Sequence, residues 1–224
     1  MLNTINPAAV PLAKELYSEI RKRIDEKKDK IVISLYGGSG CGKTTLATII
    51  KQLFEEDGIG CYVLSGDHYP KRIPKRNDEE RMRIYQERET DGLVDYLGTP
   101  NEIEFDKINK VITQFKAGQS LISLKQMGRE DGDICYVDGD FHDIQILLIE
   151  WTHGGSEYLT GVDLPIYIDS TPEGTLENRL KRNRDENAAS DLIRMVLEIE
   201  QTKLLKQAKA AKLVVDKDGG IHGQ

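Results

Sequence analysis

Residues 37 to 44 follow the pattern G-x-x-x-x-G-K-[ST], the spacing of a loop that wraps around phosphate groups. Its glycines let the backbone turn tightly enough for successive N–H groups to point inward at phosphate oxygens. An apolar run from Ile31 to Tyr36 precedes the loop, and a helical pattern from Thr45 to Phe54 follows it. Because the motif needs a strand before it and a helix after it, this context favours a phosphate site over a glycine-rich turn that binds nothing.

The loop residues also predict how the phosphates are held. Lys43 is expected to reach the β and γ phosphates, and the Thr44 hydroxyl is expected to ligate Mg²⁺. The predicted nucleotide-binding residues of the loop are Gly38, Ser39, Gly40, Cys41, Gly42, Lys43, Thr44 and Thr45. The loop therefore predicts binding of nucleotide phosphates together with Mg²⁺.

Two carboxylates end predicted strands and are candidates for the chemistry. Asp67 follows the short strand Cys61 to Ser65, where it could accept a proton from an acceptor hydroxyl, hold that hydroxyl in line, or merely cap a loop. Glu150 ends the most apolar run of the chain, and a carboxylate there is costly to bury without a purpose. Both are candidate metal-side groups, and which one takes the proton stays open.

A basic cluster near residue 180 stands out in an acidic chain. Arg179, Arg182 and Arg184 could form a lid that brings guanidinium groups to the β and γ phosphates, with Arg182 in a catalytic role. The alternative is a solvated basic face paired with Glu177 and Asp185.

Candidates for the acceptor side surround Asp67 in the sequence or follow Glu150. The basic loop after Asp67 either borders the acceptor pocket and favours an anionic acceptor, or is solvated loop charge. Rings and histidines are more often packing than recognition, so they rank as neighbours of the site. The full set is Asp67, His68, Tyr69, Lys71, Arg72, Arg76, Arg129, Trp151 and His153.

The composition of the 224 residues limits the other function classes. A net charge of −7 argues against a nucleic-acid partner, and no apolar run approaches a membrane span. Three distant cysteines suggest neither a disulfide framework nor a zinc site, so the chain is expected to be cytoplasmic. We expect one domain over 1–224, with an N-terminal helix in 1–30, an acceptor-side insertion in 70–143 and a lid in 179–190.

Alternating strand and helix patterns predict a three-layer α/β/α sandwich with a mainly parallel sheet. Asn77 and Glu80 have the spacing of a helix cap, which would open a charged helix running to about Glu89. Thr171 and Pro172 have the pattern of a helix start. Two modest strands, 121–124 and 134–137, predict an edge hairpin, and the last strand is expected at 212–215.

In this order, the residues resemble the phosphoribulokinase and uridine kinase family of P-loop kinases. The resemblance covers nearly everything from Ile31 to Val215 and depends on the segments 37–45, 65–69, 100–106, 115–118, 148–150 and 179–185. It implies a five-stranded parallel core sheet in the order 2-3-1-4-5. It also implies ATP with Mg²⁺ as phosphoryl donor and a hydroxyl of a small metabolite as acceptor.

By family analogy, Asp67 would be the general base, Glu150 the metal-side carboxylate, and Arg179, Arg182 and Arg184 the lid. The chain departs from the family in two places. Trp151 stands where the family usually has glycine, which predicts a reshaped substrate pocket. The segment from Leu124 to Arg129 offers no ring to stack a nucleobase, which argues against uridine itself.

Two other functions are alternatives to a small-molecule kinase. Adenylylsulfate kinases are also small P-loop kinases, but the long insertion after Pro70 fits them less well. A nucleotide-dependent regulatory ATPase would need no acceptor. Guanine specificity is not expected, because the nearest string to Asn-Lys-x-Asp, at 109–112, lacks the aspartate. The sequence leaves open whether the protein forms a homo-oligomer.

Overall fold

The computed structural model describes residues 7–24, 30–181 and 191–224. Its strands are β1 (Ile31–Gly37), β2 (Gly60–Ser65), β3 (Leu121–Met127), β4 (Ile134–Asp140), β5 (Ile144–Trp151), β6 (Leu164–Ile168), β7 (Leu213–Val215) and β8 (Ile221–Gly223). Its helices are α1 (Ala9–Arg23), α2 (Lys43–Glu56), α3 (Pro74–Tyr96), α4 (Phe105–Lys116), α5 (Leu176–Lys181) and α6 (Asp191–Gln207). Among the described residues, no helix combines the length and apolar character needed to cross a membrane.

The central sheet has the strand order β2-β5-β1-β6-β7-β8. Its first five strands are parallel, and β8 adds an antiparallel edge strand that the sequence patterns did not predict. Numbered along the chain, the five parallel strands lie in the order 2-3-1-4-5, as predicted. The predicted edge hairpin is the separate two-stranded sheet β3-β4.

Two apolar layers cover the faces of the sheet and explain its continuous apolar strands. Ile33 and Leu35 on β1 pack with α1 and α2, whereas Val32 faces the layer that contains α4. A strand buried on both faces needs apolar side chains at successive positions, which is why β1 and β5 show no polar alternation. The parallel register places Glu150 of β5 opposite Ser65 of β2 and Leu35 of β1.

The first predicted helix boundary on the acceptor side is wrong. Helix α3 begins at Pro74 and not at Asn77, because the fixed φ of proline suits the first turn of a helix. Asn77 lies inside the helix, and its buried amide contacts Glu102 and Tyr96 instead of capping. The predicted end near Glu89 is a break in the helix, where the backbone has φ 51° and ψ −144°. A second helical stretch follows this break and ends at Tyr96.

The break at Glu89 turns α3 back on itself. Tyr96 Oη donates a hydrogen bond of 3.0 Å to Asn77 Oδ1, although these residues would lie roughly 28 Å apart along a straight helix. The two halves also pack closely at Gly92, where an added Cβ would lie 2.6 Å from Cβ of Arg88 and 2.9 Å from Cγ2 of Ile84. The segment is therefore a helical hairpin with a strained residue at its bend.

The predicted cap at Thr171 is confirmed, but the regular helix begins later than predicted. Thr171 Oγ1 accepts a hydrogen bond from the Gly174 N–H at 3.1 Å, and its carbonyl oxygen accepts from the Thr175 N–H at 3.1 Å, as in an N-cap. Residues 172–175 form a turn, and α5 begins at Leu176. Of the predicted lid, Arg179 lies in α5, whereas Arg182 and Arg184 lie outside the described residues.

We predict that Glu89→Gly raises the free energy of unfolding by roughly 1 kcal/mol, because glycine adopts positive φ without the clash of a Cβ. Gln86→Gly is the matched control in the regular, exposed part of the same helix, where glycine should lower stability by roughly 1 kcal/mol. Urea unfolding of the three proteins measures both effects. Equal destabilisation by the two glycines would contradict a strained Glu89.

Candidate active site

The phosphate loop joins β1 to α2 and is tightly packed. Gly40 and Gly42 have φ values of +82° and +97°, which L side chains rarely adopt. A Cβ on Gly40 would lie 2.9 Å from Cγ of Arg179 and 3.1 Å from the Thr175 carbonyl oxygen. The glycines of the motif therefore serve both the curvature of the loop and its close contact with α5.

Lys43 is buried beneath this loop with its ammonium group turned toward the loop backbone. Its Nζ donates to the carbonyl oxygens of Gly37 at 2.9 Å and Gly38 at 2.8 Å, and contacts Cys41 Sγ at 3.9 Å. A thiol is a weak acceptor, so a phosphate oxygen would be a much stronger partner for the third ammonium hydrogen. The position of Lys43 fits a phosphate bound inside the loop.

The start of α2 adds to this anion site. The first N–H groups of a helix lack intrahelical acceptors, and the N-cap Gly42 has no side chain to supply one. The first backbone bond of the helix runs from the Leu46 N–H to the Gly42 oxygen. The preceding N–H groups can therefore point at phosphate oxygens.

Glu150 is held between the phosphate loop helix and the neighbouring strand. Its Oε2 accepts from Thr44 Oγ1 at 3.1 Å, and its Oε1 accepts from Ser65 Oγ at 2.9 Å. Burial raises the pKa of Glu150 and the nearby Asp67 carboxylate adds to this, while the hydroxyl bonds and Lys43 oppose it. One carboxylate thus bridges the ends of β2, β5 and α2.

Thr44 and Glu150 fit a magnesium site in which the nucleotide supplies further oxygens. Mg²⁺ usually takes one or two protein oxygens, with waters and substrate phosphates completing its shell. Within residues 7–24, 30–181 and 191–224, no three acidic, histidine or cysteine side chains form a cluster that could hold a metal ion alone. The donor set therefore suits a metal that binds together with the nucleotide.

Asp67 lies in the short 3₁₀ turn Gly66–His68 directly after β2, and its side chain is exposed to a cavity. The turn is fixed from below by Trp151, since a Cβ on Gly66 would lie only 2.0 Å from Cγ of the indole. Trp151 is buried, and its ring centroid lies 5.4 Å from that of Phe105. The His153 ring lies edge-on to the indole, with 5.3 Å between the two ring centroids. Trp151 therefore forms the floor of this cavity beneath the turn that carries Asp67.

The cavity has a volume of about 570 Å³ and lies between α3, α6 and the ends of β2 and β5. This size is typical of a site for a small molecule. Its charged lining residues are Asp67, Arg72, Asp78, Arg81, Glu102 and Glu200.

A buried charge cluster on the cavity wall was missed in the sequence. Glu102 Oε1 accepts from Arg81 Nη2 at 2.6 Å, Arg81 Nε at 2.9 Å and Asn77 Nδ2 at 2.8 Å. Its Oε2 accepts from the Gly98 N–H at 2.7 Å. Burial would raise the pKa of Glu102, but the Arg81 guanidinium and these bonds outweigh it and hold the pKa below its usual range. Glu102 lies within segment 100–106, which resembles the family. This resemblance was the one feature of the sequence that could have pointed to Glu102.

The structure brings some of the predicted acceptor-side residues to the cavity. Asp67, Arg72, Trp151 and His153 line it, together with Ser39 of the phosphate loop. Burial lowers the pKa of His153 to about 4, although Glu102 opposes this, so its ring is neutral near pH 7.

Other predicted residues lie elsewhere. His68 Nδ1 accepts from the Met127 N–H at 3.1 Å, and Tyr69 is buried in the layer beside β2. The exposed Arg76 pairs with Glu79 at 2.9 Å and Asp131 at 2.6 Å. Lys71 and Arg129 do not belong to the described cavity lining.

Arg179 is buried against the phosphate loop and retains unused donors. Its Nη2 donates to the Pro172 oxygen at 2.8 Å, while Nε and Nη1 are buried with no hydrogen-bond partner among the described residues. The adjacent Asn178 donates to the Gly40 oxygen at 3.1 Å. This placement supports the prediction that Arg179 belongs to the nucleotide side of the site.

We predict that Glu150→Gln leaves the free protein as stable as the parent or more so at pH 8, and that this gain shrinks at pH 4. When folding raises the pKa of a carboxyl group, the folded protein loses stability as the pH rises from the unfolded pKa through the folded pKa. The glutamine variant does not have this loss, because an amide does not titrate. Urea unfolding without Mg²⁺ or nucleotide measures the difference. Glu157→Gln, which removes a carboxylate at an exposed position, is the control, and an effect as large as that of Glu150→Gln would contradict the prediction.

Comparison with known proteins identifies relatives of this chain. The sequence profile described as the phosphoribulokinase / uridine kinase family matches residues 32–196. The chain is 56% identical over 213 residues to the bifunctional alpha-galactosidase/sucrose kinase AgaSK of Mediterraneibacter gnavus. That match covers 95% of this chain but only 23% of the relative, so the chain spans about a quarter of the relative's length.

More distant relatives agree with the profile. A uridine kinase of Leuconostoc citreum is 27% identical over 160 residues, which are 70% of each protein. Among solved structures, phosphoribulokinase from Rhodobacter spheroides superposes with a TM-score of 0.63 over 85% of this chain and 71% of that one, at 16% identity. That similarity supports the P-loop kinase fold. With its profile match covering most of the sequence, the chain belongs to the phosphoribulokinase / uridine kinase family.

Proposed function

We propose that this chain is an ATP- and Mg²⁺-dependent kinase that transfers the γ-phosphoryl group to a hydroxyl of a neutral sugar, with sucrose as the first candidate. The family supports a phosphotransferase acting on a small metabolite, and the 56% identical relative carries the name of a sucrose kinase. Because that relative is a much longer bifunctional protein, the acceptor has to be argued from this chain's own cavity.

The observation that carries the proposal is the placement of Asp67 and Glu150. Glu150 lies near the end of β5, and Asp67 directly follows the neighbouring parallel strand β2. The two carboxylates interact electrostatically next to Lys43. Glu150 faces the phosphate loop through Thr44, whereas Asp67 faces the cavity. This arrangement gives one carboxylate to the donor side and one to the acceptor side of a phosphoryl transfer.

The charges of the cavity favour a neutral acceptor. Four carboxylates line it, Asp67, Asp78, Glu102 and Glu200, against two guanidinium groups, Arg72 and Arg81. An acceptor that carries a phosphate or carboxylate would meet an excess of like charge, which is a means of rejecting it. Sugar hydroxyls, in contrast, can donate hydrogen bonds to carboxylates.

The proposed roles follow from these positions. The loop N–H groups and Lys43 hold the nucleotide phosphates, and Thr44 and Glu150 hold Mg²⁺. The bound metal supplies charge neutralisation at the phosphates. Asp67 accepts the proton of the acceptor hydroxyl as that oxygen attacks the γ-phosphorus, and the bond from the γ-phosphorus to the β,γ-bridging oxygen breaks to release ADP. Arg179 stabilises charge beside the loop. Roles for Arg182 and Arg184 remain predictions from the sequence.

The two alternatives weighed for the sequence are less well supported. An adenylylsulfate kinase takes an anionic acceptor, which the excess of carboxylates in the cavity disfavours. A regulatory ATPase would need no cavity beside Asp67, and the relatives are named as kinases of small metabolites.

The proposal is tested by coupled ADP release with a panel of acceptors. The panel contains sucrose, other neutral sugars, nucleosides, sugar phosphates, sugar acids and adenylylsulfate. We expect ADP release that depends on a neutral sugar. Release that only an anionic acceptor accelerates, or that no acceptor accelerates, would contradict the proposed function.

For the sugar found active, we predict that Asp67→Asn lowers kcat by at least about 100-fold, because an amide cannot take the hydroxyl proton. The KM for ATP should stay close to that of the parent, since the loop and Lys43 are untouched. Asp138→Asn, on the exposed strand β4, is the control and should leave kcat unchanged. Near-parental turnover in Asp67→Asn would exclude Asp67 as the base.

A further inference from the structure

Glu200 differs from Glu102, its acidic neighbour on the cavity wall, in having little to bind. It lies on α6, and its one described ion pair is with Arg81, whose Nη2 lies 3.7 Å from Oε1, beyond hydrogen-bond distance. No hydrogen bond to its carboxylate occurs within the part of the chain that the structure describes. Its side chain is only 14% exposed.

The neighbouring Glu102 explains why Arg81 does not close this gap. Glu102 takes both Nε and Nη2 of the guanidinium at short distances, and its second oxygen is bound by Gly98. Arg81 is thereby held in one orientation against Glu102. Among the described residues, Glu200 is left as a nearly buried carboxylate with no hydrogen-bond donor, so a molecule bound in the cavity would find an unused acceptor there.

The position of Glu200 connects the two halves of the site. It lines the acceptor cavity together with Val196 and Leu197 of the same helix. It also lines a smaller cleft with Gly38 and Ser39 of the phosphate loop. Burial raises the pKa of Glu200, and Asp67 and Lys43 are close enough to influence it in opposite directions. A group at this place would meet the part of an acceptor that lies nearest the nucleotide.

We infer that Glu200 is a specificity-determining residue that accepts hydrogen bonds from hydroxyls of the sugar and rejects acceptors that carry negative charge. The inference rests on the proposed function, because it assumes that the cavity binds the acceptor. A carboxylate offers only acceptor sites, so it matches a polyol and opposes a phosphate or carboxylate group.

The test uses Glu200→Gln and Glu200→Ala of the full chain with the neutral sugar active on the parent. A hydrogen bond to a charged group is lost in the alanine variant, so the KM for the sugar should rise roughly 10- to 100-fold while the KM for ATP stays within about twofold. The glutamine variant keeps an acceptor oxygen and should show a smaller rise. Because it loses the charge, its activity on the corresponding sugar phosphate relative to the neutral sugar should increase at least about tenfold.

The matched control is Glu198→Gln on the same helix. The side chain of Glu198 is 64% exposed, and its Oε1 lies 4.0 Å from Nε of Arg194. This variant should leave both KM values and the acceptor preference unchanged. Thermal melting of all variants, with and without the sugar, separates loss of binding from loss of folding.

The outcomes distinguish this inference from the proposed function. If the parent releases ADP with no neutral sugar, the proposed function fails and this inference fails with it. If the parent uses a neutral sugar but Glu200→Gln and Glu200→Ala keep its KM and its rejection of the sugar phosphate, Glu200 is not the specificity residue. A fall in melting temperature with equal losses for ATP and sugar would show a structural role and would also overturn the inference.

Discussion

The site depends on one buried carboxylate at the end of the central parallel sheet. Glu150 is bound by Thr44 on one side and Ser65 on the other, so it connects the phosphate loop helix to the strand that leads to Asp67. Parallel strands end at the same edge of a sheet, and the register places Ser65 directly opposite Glu150. The sheet itself thereby fixes the separation between the proposed donor side and the proposed acceptor side.

The acceptor side is built on a second constraint, the packing of Trp151 beneath Gly66. Only a residue without a Cβ can lie on the indole at this distance, so the turn that presents Asp67 is tied to the floor of the cavity. The same indole contacts His153, whose pKa of about 4 keeps the ring neutral. A larger residue at position 66 would force the indole or the turn to move, and either movement would displace Asp67.

The sequence was sufficient for the parallel strands and the phosphate loop because each depends on local patterns. Apolar runs identify strands that are buried on both faces, and the glycine spacing identifies the loop between β1 and α2. The acceptor side was harder to predict because its contacts join residues distant in sequence. Arg81 and Glu102 lie 21 positions apart, and Asn77, which looked like a helix cap, is a buried partner of both Glu102 and Tyr96. The capping pattern failed because Pro74 begins the helix one turn earlier.

The break at Glu89 explains how a charged helix can form the wall of a cavity. A straight helix over these residues would carry Tyr96 far from Asn77, but the reversal brings its phenol back to the amide and packs Leu93 and Tyr96 against Val196 and Ile199 of α6. The apolar contacts hold both halves of α3, so they maintain a backbone conformation that glutamate would not adopt alone. The reversed helix then presents Asn77 and Arg81 to Glu102 in a place shielded by α6. A buried charge cluster is stable there because nearly every polar atom of Glu102 is paired, and this pairing keeps the wall rigid around the space left for the acceptor.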